Sequence, residues 1–151
     1  MVRDNVGWRV ALCGAAAVAL LAGCVTSRYD VKLEAAAADW KEQVGAFITD
    51  SVAKAGTPGG EYEANKKFYE DMQNSIGGHV ARTKAASGSQ RAVEILELLS
   101  KDIENLRKLH EVGGKAGLTQ AVADPARTAI ETELRALNKL QSEYRGGNEN
   151  G

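Results

Sequence analysis

Cysteine occurs only twice in 151 residues, as Cys13 and Cys24, and both lie in the first two dozen positions. The remainder has no thiol with which to build a disulfide framework or a Cys-x-x-Cys redox or metal motif. Proline is almost missing, with Pro58 and Pro125 the two examples, so little opposes long helices. Aromatic residues make up 5% of the chain, and histidine is limited to His79 and His110. Neither charge sign dominates: 19 basic side chains stand against 20 acidic ones. The basic excess that would draw in nucleic acid or an anionic bilayer is therefore lacking. A long apolar run is also missing. The uncharged stretch Val10–Gly23 has fourteen residues. At 1.5 Å per residue it reaches about 21 Å as a helix, short of the roughly 30 Å hydrocarbon core of a bilayer.

What is present begins with that stretch. Met1–Arg9 carries Arg3 and Arg9 against the single Asp4, a positive start followed by an uncharged core and small residues. That order is the pattern of a secretory signal peptide. The run ends in Leu21-Ala22-Gly23-Cys24. This tetrad resembles the lipobox of bacterial lipoproteins, and the resemblance implies cleavage between Gly23 and Cys24 and lipid on the new N-terminal Cys24. Two or more acyl chains anchor stably, at about 0.8 kcal/mol per buried methylene. The residue after the cysteine is Val25, not the aspartate that favours inner-membrane retention in such proteins. The resemblance therefore implies the periplasmic face of the outer membrane. Loss of residues 1–23 removes Arg3, Arg9 and Asp4, leaving 17 basic and 19 acidic groups.

Residues 24–30 read as a lipidated tether, with Ser27 or Asp30 as helix cap. A first helix follows, its apolar residues Leu33, Ala37, Trp40, Val44, Ile48 and Val52 recurring at steps of three and four. Trp40 lies in that stripe and is expected in the core. Gly56-Thr57-Pro58-Gly59-Gly60 stops the helix. A second helix starts near Glu61 and carries Tyr62, Phe68 or Tyr69, Met72, Ile76, Val80 and Thr83 inward. Gly77-Gly78 interrupts it, at a cost of about 2 kcal/mol relative to alanine. The pair is a candidate hinge or interaction point, with close packing against a neighbouring helix or a kink as the plainer explanation. The third helix is capped at Ser87 or Ser89. Its central row Val93, Leu96, Leu99, Ile103 and Leu106 is flanked by Ile95, Leu98 and Leu109, a face wide enough to need more than one covering neighbour. Glu97 and Glu104 are expected to pair with Lys101 and Lys108 four residues on. Gly113-Gly114 closes that helix, and residues 115–123 are expected to form a loop with one helical turn at most. Asp124-Pro125 then reads as N-cap and first position of a fourth helix, and residues 146–151 as a flexible tail.

Four amphipathic helices over residues 31–145 with short connections predict an all-α fold: an antiparallel up-down-up-down four-helix bundle after an N-terminal signal segment. The alternative is a long helical hairpin that dimerises through the broad face of the third helix. Leu106-Arg107-Lys108-Leu109-His110 and the Pro125-led last helix resemble uncharacterised short helical lipoproteins of Gram-negative bacteria, a likeness over roughly residues 90–151. It rests on leucine spacing and carries no functional residues across.

Chemistry is sparse. On an antiparallel hairpin His79 and His110 fall roughly 20 Å apart, too far to share one zinc. Neither has a second His or Cys three or four residues on. His110 suits a helix C-terminus, where positive charge is favoured. The inward Glu-x-x-His pairs of di-metal bundles, the Gly-x-Ser-x-Gly elbow and a phosphate-cradling loop are missing. The sequence therefore predicts no catalytic residues, no metal and no cofactor. The expected function is that of a membrane-anchored, non-catalytic accessory or interaction module that meets an envelope protein near 113–123 or Gly77-Gly78. The competing expectation is a small-molecule or metal carrier lined by Tyr62, Tyr69, Met72 and Gly77-Gly78.

Overall fold

A computed structural model describes residues 29–86 and 88–148. They form four α-helices and no strand: α1 Val31–Ala53, α2 Tyr62–Ala85, α3 Gln90–Gly113 and α4 Gln120–Asn148. Short 3-10 turns at Pro58–Gly60 and Gly114–Ala116 occupy the first and third connections. The expected all-α four-helix bundle is what forms, and no described helix is long and apolar enough to cross a membrane.

Local chemistry sets the ends. The Asp30 carboxylate accepts from the Lys32 and Leu33 backbone N–H groups and starts α1. Ser89 Oγ does the same for Ala92 N–H at the start of α3. Glu61 precedes α2 without a side-chain cap bond, and the Asn65 amide ties that turn by donating to the Gly59 and Glu61 carbonyls.

Packing sets the order round the bundle. α3 lies between α2 and α4, and α1 closes the ring mainly against α4. Between α1 and α2 the backbones stay further apart, and large side chains fill the gap. Phe47 stacks on Phe68 with centroids 3.7 Å apart. Trp40 Nε1 donates to Ser75 Oγ at 3.0 Å, and its ring meets His79 edge-on. Trp40 is thus a core residue, as its place in the stripe predicts. The core runs from Leu33, Ala37 and Ile48 through Met72 and Ile76 to Leu96, Leu99, Ile103, Leu106, Ile130, Leu134 and Leu137. Each of the Leu, Ile and Met side chains among them contributes about 1.5–3 kcal/mol by leaving water.

Three expectations need correction. α4 starts at Gln120, so Pro125 sits inside the helix and Asp124 is not its cap. The reason is tertiary: Leu118 and Ala123 are fully buried, and the chain must coil early to place both in the core. The Thr119 carbonyl accepts from Val122 and Ala123, and Gln120 reaches the Asp124 carboxylate. At the other end α4 continues through Gly146-Gly147 to Asn148, where a flexible tail was expected. Finally, Glu97 turns from Lys101 to bond Lys84 on α2 at 2.7 Å, while Glu104 keeps its partner Lys108 and adds Arg107. Ser27 and Ser87, the alternative caps, lie outside the described residues.

Candidate functional site

Gly23 and Cys24, the expected cleavage and lipidation positions, lie outside the described residues, as does the whole segment 1–28. The structure does locate the point from which that segment departs. Asp30 N–H donates to Gln141 Oε1 at 2.9 Å, Arg145 bonds Glu34, and Tyr29 O–H donates to Glu34. The start of α1 is therefore tied to the last turns of α4.

Gly77 and Gly78 stand mid-way along an unbroken α2 and are exposed. A Cβ built on either meets nothing within 4 Å, so close packing against a neighbouring helix does not explain them. Gly77 borders a shallow surface groove of about 400 Å³ between α2 and α3, completed by Val80, Ala81, Lys84, Glu97 and Ser100. The carrier residues are not brought together round one cavity. Tyr69 and Met72 are packed in the core, Tyr62 is half-buried beside Arg107, and the two glycines face outward.

The end of the bundle away from Asp30 holds a sealed polar pair. His110 is fully buried, with Nδ1 2.9 Å from the Tyr69 hydroxyl and Nε2 2.8 Å from the Gly60 carbonyl oxygen. A carbonyl only accepts, so Nε2 carries the hydrogen and the Tyr69 O–H donates to Nδ1. Burial pushes the Tyr69 phenol well above its usual range, keeping it a donor. Phe47, Phe68 and Tyr62 wall the pair in. Gly117, at φ +65°, lies against the Gly60 carbonyl so closely that no side chain fits between. His110 does lie in the last turn of α3, as expected, and from there it bridges α2, α3 and the 58–60 turn.

His79 has a different setting. It packs on Trp40, is largely buried, and its Nδ1 makes no hydrogen bond within the protein. Burial and then Arg82 lower its pKa, against a pull upward from Asp30. Among the described residues no cluster of three His, Cys, Asp or Glu side chains is placed to hold a metal ion.

The outer face of α3 is the feature that sequence reasoning misassigned. Leu98 and Leu109 were expected to be covered, yet they are 49% and 45% exposed, and Val112 is 86% exposed. The positions 98, 102, 105, 109 and 112 advance by four and three, one seam of a heptad. Asp102 is half-buried and Asn105 is exposed within it. Burial raises the Asp102 pKa, partly offset by Lys101. Burial and then the Asp102 charge raise that of Glu133 on α4, which marks the two carboxylates as neighbours. The sequence shows the breadth of this apolar face, and the structure shows that α2 and α4 leave its outer edge uncovered. No family model matches the chain, and neither curated proteins nor solved structures give a match.

Proposed function

We propose that this protein is a lipid-anchored accessory module of the bacterial envelope that works by contact with protein and not by catalysis. Residues 1–23 act as the signal peptide, Cys24 carries the lipid, and residues 25–30 tether the bundle to the periplasmic face of the outer membrane. The observation that carries the interaction reading is the row Leu98, Leu109 and Val112, which are exposed while the other large apolar side chains among the described residues, Val31 apart, are at least half-buried. Apolar rows of this kind, bordered by charge, mark contact surfaces. The groove beside Gly77 adjoins the same helix. A non-catalytic role is supported by His110, whose two ring nitrogens are both engaged inside the core.

Two measurements test the reading. Cys24→Ala is expected to abolish labelling by radioactive palmitate and to release the protein from the membrane fraction. Unchanged fractionation and labelling refute the anchor. A photo-reactive side chain at position 98 is expected to give protein adducts in intact cells, and one at the exposed position 63 on α2 is not. Equal yields at both positions refute the contact surface.

A further inference from the structure

The exposed row on α3 carries negative charge in its middle that no contact within the bundle neutralises. Asp102 is half-buried in the seam, between the exposed Leu98 on one side and Leu109 on the other. Glu133 of α4, also half-buried, is its neighbour. Among the described residues neither carboxylate has a hydrogen bond or an ion pair. Glu97 and Glu104 on the same helix are both paired, at 2.7 and 2.8 Å. Lys101 is next to Asp102 in the chain, but consecutive helical residues point about 100° apart. It therefore stands outside the seam and acts on Asp102 only across a distance. On α4, Ala129, Glu133 and Ala136 advance by four and three and share one face. The two alanines flanking Glu133 are short, so they leave room above the carboxylates.

Two neighbouring carboxylates, both partly out of water, repel each other where the solvent that would screen them is thinned. Whatever covers the row must take away more of that water. A purely apolar cover would bury both charges unpaired, and an anionic one would add to the repulsion. A second copy of the chain presents the same acidic middle and supplies no cation along the seam. The occupant therefore has to bring apolar surface to the leucines and a positive charge between them. Its shape follows from the register. Steps of four and three along α3 are those of a helix-packing seam. Leu98 and Leu109 are eleven residues apart, about 16.5 Å along the helix. A second helix laid beside α3 matches them with apolar residues eleven apart. Asp102 lies four residues from Leu98, so the cation belongs four residues from the apolar side chain that meets Leu98. We propose that the α3–α4 seam docks an amphipathic helix of another envelope protein, which packs apolar side chains on Leu98 and Leu109 and sets a Lys or Arg against Asp102 and Glu133.

This proposal rests on reading the α3 row as a contact surface, and it names the chemistry of the partner. The test uses the full-length protein in intact cells, with a photo-reactive side chain at position 98. Mass spectrometry of the adduct is expected to place the attached residue four positions from a Lys or Arg. Asp102→Asn combined with Glu133→Gln removes both charges and keeps the shape, and it is expected to cut the adduct yield several-fold. Asp102→Lys combined with Glu133→Lys should cut it at least about tenfold, with unchanged helical circular dichroism. Changing the partner's basic residue to glutamate should then restore the yield. An undiminished yield in both charge variants, or an attached segment with no basic residue at that spacing, refutes the proposal and leaves the contact surface standing. Adducts consisting only of two copies of the chain refute it as well. No adduct at position 98 removes the contact surface itself, and this proposal with it.

Discussion

Replacing Tyr69 by phenylalanine removes one oxygen from a side chain that is 1% exposed and leaves its ring packing in place. The edge-on contacts to Phe47 at 5.2 Å and Phe68 at 5.4 Å do not involve the hydroxyl. The loss is therefore confined to the 2.9 Å bond to His110 Nδ1. Because His110 is fully buried, water cannot take the place of the lost donor. An orphaned buried acceptor costs about 1–3 kcal/mol. At about 4 °C per kcal/mol for a domain of this size, Tyr69→Phe should lower the melting temperature by roughly 4–12 °C. His110→Leu should cost at least as much, since it strands the Gly60 carbonyl as well. The double variant should lose less than the sum, by about 1–2 kcal/mol, because the two changes remove one shared bond. Alkaline pH gives an independent reading. The Tyr69 phenol titrates higher in the folded protein than in the unfolded chain, so above pH 10 the unfolded state releases its proton first. The folded state then binds more protons, and stability falls as pH rises. Tyr69→Phe should remove that part of the slope. Denaturation followed by circular dichroism measures all of these. A Tyr69→Phe midpoint within about 0.3 kcal/mol of the native one, or strict additivity with His110→Leu, refutes the sealed-pair reasoning.

Gly117→Ala forces a side chain into a left-handed backbone and against the Gly60 carbonyl. It should cost about 2–4 kcal/mol in urea denaturation and make Tyr69→Phe less costly on top, because the His110 acceptor has moved. The His79 pKa is lowered by burial, so below pH 6.5 the unfolded chain takes up a proton that the folded protein does not. Stability should therefore fall from pH 6.5 downward until the folded ring protonates, and His79→Gln should flatten that fall in urea midpoints taken between pH 7.5 and pH 5.

Much of the scaffold was readable before any coordinates. Helix number, the Asp30 and Ser89 caps and the turns at Gly56–Gly60 and Gly113-Gly114 follow from periodicity and from bonds between residues at most a few places apart. Such interactions depend on the segment alone. The core position of Trp40 followed from the same stripe. Candidate sites were less readable. Gly77-Gly78 looked like a packing contact and proved to be open surface. Asp124-Pro125 looked like a helix start, and the burial of Leu118 and Ala123 overrode it. His110 gave no hint of its partners, since Tyr69 and Gly60 are 41 and 50 residues away in sequence.

The row on α3 shows where that division falls. Its sequence dictates a helix with an apolar face broader than one neighbour covers, because helical spacing alone decides which residues share a face. How much of that face α2 and α4 cover depends on where those helices settle. That placement involves contacts between separate segments, such as the Phe47–Phe68 stack between α1 and α2 and the close approach of Gly117 to the Gly60 carbonyl. Only the assembled bundle could leave Leu98, Leu109 and Val112 outside, because exposure is a property of what packs alongside and not of the segment itself.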